Sequence, residues 1–297
     1  MGIPDYYVVH AAGIPSILKV DARTGSKITF IDQAEVYGNI EKVAAGEDDT
    51  FYLAVRPDDS TACASVIYRT RMGVGDSPKV DVRRMVRLRA GGHVGALAVT
   101  RDGSRLAYVD DGCGSGTPQT LTVHDVKTNM SESWSITTAG KNLSAKHLAW
   151  AGQDRIALSV IEPCTADPGE FCLPDTVVRM LDTRDPGRDL ARASELRRWR
   201  EAGSDLPIAF SADASSLFTP SDDKEGIEET SIADGNVLGE FDLSGEGGRI
   251  VDLAMDAAGQ HLLVESTTSL DHLDVRLGRS ATLPWPLDVR RPFDVAW

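Results

Sequence analysis

The chain has 297 residues, of which 31 are basic and 45 acidic, for a formal net charge of −14 at neutral pH. Such a surface repels phosphate, so nucleic acid is excluded as the main partner. With 41% hydrophobic and 26% charged residues the chain is globular rather than disordered, and no apolar run reaches the roughly 18 residues that a membrane span needs.

The first residues, Met1-Gly2-Ile3-Pro4-Asp5-Tyr6, lack a basic segment followed by an apolar core, so no signal peptide is expected. Three β-rich runs come next: Tyr6 to His10, Ile17 to Val20 and Lys27 to Ile31. A pattern then recurs: an apolar-Ala-apolar triplet, a polar turn and a second apolar run. It reads Val43-Ala44-Ala45 before Phe51 to Val55, Leu97-Ala98-Val99 before Leu106 to Val109, and Leu148-Ala149-Trp150 before Ile156 to Leu158. It continues with Ile208-Ala209-Phe210 before Leu217-Phe218, and Leu253-Ala254-Met255 before Leu262 to Val264. A sixth triplet, Val295-Ala296-Trp297, ends the sequence.

The central alanines lie 54, 51, 60, 45 and 42 residues apart, close to the ~40–45 residues of a four-stranded propeller blade. A short strand built on Ala suits the crowded axis of a propeller. Between the triplets lie turns of the form Asp21-Ala22-Arg23-Thr24-Gly25, repeated as Asp125-Val126-Lys127-Thr128-Asn129. Looser versions stand at Asp182 to Asp185 and Ala233 to Asn236. They read as turns between third and fourth strands. The three N-terminal strands lack an inner strand and the last triplet lacks followers, so together they make one blade. Closure of that kind leaves no open sheet edge at the chain ends. The expectation is an all-β, six-bladed β-propeller, one domain over 1–297, its first blade closed by the C-terminal strand. An open β-sandwich is the alternative. Asp189 to Ala202 reads either as an inserted helix or, over Glu195 to Arg200, as the outer strand of blade four.

The turns Thr100-Arg101-Asp102-Gly103 and Ser211-Ala212-Asp213-Ala214 resemble those of WD40-like and TolB-like propellers, without the Gly-His and Trp-Asp pairs of true WD40 blades. A closer resemblance is to exported surface propellers of actinobacteria. It is carried by Pro4 to Val9, Asp21 to Gly25, Ala44 to Phe51 and Val178 to Thr183. The resemblance implies a location rather than a chemistry: an exported domain that follows a single membrane anchor, so that the membrane is met only through a segment absent from this chain. The excess of 23 Arg over 8 Lys agrees with a high-GC genome.

Catalytic motifs are scarce. Gly112-Cys113-Gly114-Ser115-Gly116 places its serine one position late for a nucleophile elbow. No glycine-rich phosphate loop follows a strand and opens a helix. The six histidines have no metal-ligand spacing. The cysteines Cys63, Cys113, Cys164 and Cys172 all fall near loops between second and third strands, on one face. This suggests the disulfides Cys164–Cys172 and Cys63–Cys113 and an oxidising compartment. Four free thiols in a cytoplasmic protein are the alternative. The same face gathers Asp58, Asp110, Asp111, Glu162, Asp222 and Asp223, with Tyr37, His93 and Trp199 near the blade connections. Such carboxylates would attract a basic protein segment, a small cationic ligand or Ca²⁺. A solvated acidic surface is the plainer reading, and no other cofactor is expected.

The sequence therefore points to a monomeric, non-catalytic binding or scaffold propeller, extracellular or at the cell surface. The alternatives are a lyase or hydrolase with paired carboxylates at the channel mouth, and the sensor domain of a membrane-tethered regulator.

Overall fold

The computed structural model describes residues 5–11, 16–32, 38–46, 50–57, 63–71, 88–89, 92–112, 116–138, 141–163, 173–185, 188–200, 206–222, 225–243, 248–256, 258–284 and 292–297. Six antiparallel four-stranded sheets form the blades of a β-propeller. Blade one contains β1 (Tyr6–Ala11), β2 (Ser16–Asp21) and β3 (Lys27–Asp32). Blade two runs through β4 (Gly38–Ala45), β5 (Thr50–Pro57), β6 (Val66–Arg71) and β7 (Leu88–Arg89). Blade three has β8 (Val94–Val99), β9 (Arg105–Asp110), β10 (Thr120–Asp125) and β11 (Met130–Ser135). A two-stranded ribbon, β12 (Thr137–Thr138) with β13 (Lys141–Asn142), leads to the next blade. Blade four has β14 (Ser144–Ala151), β15 (Arg155–Glu162), β16 (Asp175–Asp182) and β17 (Ser194–Trp199). Blade five has β18 (Ala209–Phe210), β19 (Ser216–Pro220), β20 (Gly226–Ser231) and β21 (Val237–Asp242). Blade six has β22 (Ile250–Met255), β23 (His261–Ser266), β24 (Leu270–Asp274) and β25 (Arg279–Thr282). The last strand, β26 (Pro292–Ala296), returns to blade one and pairs with β1 as Val8↔Ala296 and Val9↔Val295.

The expected closure of the first blade by the C-terminal strand is thus observed. In blade four the strand reading holds: Ser194–Trp199 is the outer strand, preceded by a 3-10 turn, Leu190–Arg192. The ribbon between blades three and four carries no repeat signal and was not anticipated.

Alternation along each strand explains how the blades stack. Successive side chains point to opposite faces of a strand. Tyr7, Val9, Leu18 and Val20 pack against Leu263 and Leu270 of blade six. Their sequence neighbours Val8 and Ile17 pack against Val43, Phe51 and Leu53 of blade two. Among the described residues the buried side chains fall into six clusters, one for each pair of neighbouring blades. A second strand has a blade on both sides, so it must be apolar on both faces. Accordingly β19 and β23 are buried at every position, whereas the outer strands β11 and β21 are mostly exposed.

The turns between third and fourth strands are built locally. Asp21 Oδ1 accepts hydrogen bonds from Arg23 N (2.9 Å), Thr24 N (2.7 Å) and Thr24 Oγ1 (2.9 Å). Gly25 then closes the turn at φ +69, a conformation that costs glycine nothing. Asp125 repeats the arrangement with Lys127 N and Thr128 N, and Asn129 takes the left-handed position at φ +58. Blade six has the same device in Asp274 to Gly278, with Leu277 N on Asp274 Oδ1 at 2.9 Å. Its sequence is less conspicuous because Leu277 stands where the other turns have Thr24 and Thr128.

Candidate functional site

The six inner strands touch their neighbours all the way around the ring. They enclose an axial channel of about 360 Å³. All six triplet alanines, Ala44, Ala98, Ala149, Ala209, Ala254 and Ala296, line it. Inner strands crowd around a propeller's axis, which favours a small side chain at this repeated position. The channel opens among the turns that join first to second strands, where Arg101, Gln153, Ser211 and Asp256 form the rim. One of these turns is tied to its neighbour: a Cβ on Gly259, which sits at φ +66, would fall on Ala212.

A second row of residues lies two positions before the alanines, on the same side of each strand. It holds Lys42 in blade two, Ala96 in blade three, His147 in blade four and Asp252 in blade six. In all four blades this position directly follows a β-bulge in the pairing of first and second strands. A bulge bends the strand and re-aims the side chain that follows. The bulged residues themselves include Glu41 and Lys146. The Glu41 Oε2 accepts from Ser65 Oγ of its own blade (2.6 Å) and reaches across to Val94 N of the next (3.0 Å). Asp252 makes the equivalent link, accepting from Val295 N at 3.0 Å. Two blade junctions at the axis are therefore fastened by a carboxylate on a backbone amide. At a third, Gln119 Oε1 accepts from Ala145 N at 2.6 Å.

His147 retains some accessible surface yet is surrounded by protein, as expected of a side chain facing an enclosed channel. Burial, reinforced by the charges of Lys42, Arg249 and Lys146, holds its imidazole down to about pKa 3, so it is neutral at physiological pH. Trp297 and Trp150 also line the channel. The Trp150 indole donates to Ala98 O at 3.3 Å. The Trp297 indole N–H is buried with no acceptor among the described residues.

Those residues singled out from the sequence that the structure describes lie on the opposite face, around the blade connections. Asp110 ends β9 and is buried. Asp111 accepts from the Gln119 side-chain amide, and its other oxygen is 3.9 Å from Lys146 Nζ. Its backbone N–H donates to His93 O (2.9 Å), and His93 Nδ1 lies 3.1 Å from Glu41 Oε1. Asp111 and His93 are thus brought together. Glu162 is elsewhere, held by Arg179 and by Arg198 at 2.9 Å; Arg198 also binds Asp175 (2.8 Å) and Glu195 (2.7 Å). Asp222 meets Arg197 at 3.3 Å. Trp199 is buried in the junction of blades four and five, with the Arg197 guanidinium 4.7 Å over its ring. Cys63 is disulfide-bonded. Asp58, Asp223, Tyr37, Cys113, Cys164 and Cys172 lie outside the described residues.

The carboxylates of this face are therefore distributed around the ring, and Glu162, Asp222 and Asp111 each have a cation beside them. Those cations are the strand residues Arg179, Arg197 and Arg198, and Lys146 at a bulge. The channel row, Lys42, Lys146, His147 and Trp297, escaped sequence reasoning. Its available signal was position: each of Lys42 and His147 stands two residues before a repeat alanine.

No family model matches the chain, and no curated protein matches it. Among solved structures, it is similar to a chain of the crystal structure of a nidogen/laminin complex, at 12% identity and a TM-score of 0.61, over 98% of this chain and 97% of that one. It is also similar to a functionally unknown protein from Desulfotomaculum acetoxidans DSM 771, at 13% identity and a TM-score of 0.53, over 95% of this chain and 79% of that one. At such identities the likeness shows the fold alone, the β-propeller.

Proposed function

We propose that the chain is a binding or scaffold propeller that acts without catalysis outside the cytoplasm, and that its ligand, or a side chain of its partner, enters the axial channel. The observation that carries this reading is the channel itself. A cavity of about 360 Å³, walled by small and apolar side chains together with polar ones such as Lys146, His147 and Asp252, has the size and mixed make-up of a small-ligand site. It sits on a rigid ring, where a bound group meets fixed partners. A propeller of the same fold comes from a protein–protein complex, in keeping with a scaffold role.

The extracytoplasmic part of the proposal draws on the disulfide at Cys63, since such bonds persist in oxidising compartments. The resemblance to exported actinobacterial propellers points the same way. The channel is preferred over the acidic loop face because a cation arriving there would have to compete with Arg179, Arg197 and Arg198 for Glu162 and Asp222.

A thermal-shift screen of small metabolites and short peptides tests the reading, run in parallel on the native chain and on Ala149→Leu, which narrows the channel. Ligands that stabilise the native chain and not the variant are the expected result. Stabilisation that survives in Ala149→Leu for every hit places binding elsewhere and overturns it.

A further inference from the structure

The wall of the channel narrows the chemistry of its guest. We propose that the channel binds a small organic anion, its acid group held by Lys146 and His147 and its carbon body lying against Trp297. This inference rests on the channel being the binding site.

Five observations converge on it. Lys42 and His147 occupy equivalent positions on β4 and β14, in blades that flank blade three, and both line the channel together with Lys146. The Lys146 ammonium approaches Asp111 only to 3.9 Å, beyond hydrogen-bond reach, so that contact takes up none of its three donors. The charges acting on His147 are all cationic, those of Lys42, Arg249 and Lys146, and a neutral imidazole among them offers a further N–H donor. Across the channel, Asp252 accepts from the backbone amides of Leu253 and Val295, and Asp256 from those of Gln260 and His261. Finally, the Trp297 indole N–H is a buried donor without an acceptor. A wall rich in donors calls for an acceptor, and an anion supplies the strongest kind.

The volume sets the size. About 360 Å³ is at the small end of ligand pockets, which suits a compact acid rather than a nucleotide or an extended peptide.

Calorimetric titration of the full chain with benzoate, benzyl alcohol and benzylamine separates head-group charge from ring burial. Benzoate is expected to bind about tenfold more tightly than the alcohol, the usual worth of a charged hydrogen bond, and benzylamine most weakly. Lys146→Gln, its melting temperature checked against the native chain, should bring benzoate to the level of the alcohol and leave the alcohol unchanged. Benzylamine or the alcohol binding as tightly as benzoate, or a Lys146→Gln variant that keeps the preference, overturns the anion assignment. If in either case Ala149→Leu still abolishes binding, the channel reading survives that failure. Absence of any benzoate binding also overturns the assignment. Benzoate binding that persists in Ala149→Leu overturns both.

Discussion

The two faces of the ring hold their carboxylates by different means. On the turn face, Asp102 and Asp213 are satisfied within their own turns. Asp102 Oδ1 accepts from Thr100 Oγ1 (2.8 Å), Ser104 N (3.0 Å) and Ser104 Oγ (2.7 Å). Asp213 does the same with Ser211 and Ser215. On the connection face the partners are distant in sequence and belong to strands. Glu162 binds Arg179 and Arg198, Glu228 binds Arg197, and Glu41 binds Val94 of the next blade. A turn can be completed by its own few residues, whereas a blade junction can be completed only by the assembled ring. The first kind of contact shapes a loop; the second fastens one blade to another or one strand to its neighbours.

Removing 293–297 breaks the assembled side of this comparison most completely, because it strips blade one of its inner strand and takes Val295 from Asp252. The expected outcome is loss of a single cooperative unfolding transition, read by calorimetry. Among point variants, Arg197→Ala should cost most. It leaves Glu228, only 5% exposed, without its guanidinium, and stranding a buried charge costs about 3 kcal/mol; urea denaturation measures it. The turn-face counterpart, Asp102→Ala, removes three hydrogen bonds from a solvent-facing turn and should cost about 1 kcal/mol by the same measurement, in line with other side-chain caps of backbone N–H groups. Arg184→Ala removes an exposed ion pair with Asp182 and should leave the unfolding midpoint unchanged, because solvent screens such pairs.

Acid sharpens the contrast. The hydrogen bonds on Asp102 and Asp213 outweigh desolvation and hold both carboxyls down to about 2. Their folded values lie below the ordinary 3.8, so what they contribute is present above that value and lost as pH falls towards 2. His147 is also depressed, from 6.5 to about 3; its contribution is full above pH 6.5 and lost as pH falls from there. Destabilisation beginning near pH 6 therefore includes the channel, whereas the turn aspartates act only below about pH 4. In His147→Gln the fall in melting temperature between pH 6.5 and 5 should be smaller than in the native chain.

Much of the architecture was legible in the sequence because it is written in short-range signals. The triplet around Ala44 or Ala254 and the Asp21 to Gly25 turn each encode a local conformation, and their repetition counts the blades. Even the closure of blade one follows from an inner strand at one end and three orphan strands at the other. The site was less legible. Acidic loop residues such as Glu162 and Asp222 look available when only their own loop is read. Lys42 and His147 look like ordinary strand residues until the bulges before them are known.

The sequence by itself determined the strands, the turns and the number of blades, since alternation, spacing and turn chemistry act over a few residues. Only the tertiary structure decided which charges meet. Arg179 and Arg198 reach Glu162, and Lys42, Lys146 and His147 share one channel, because six blades converge on an axis and bring together side chains from strands far apart in the chain. The energy of a charge depends on that company and on its distance from water, and neither is a property of the local sequence.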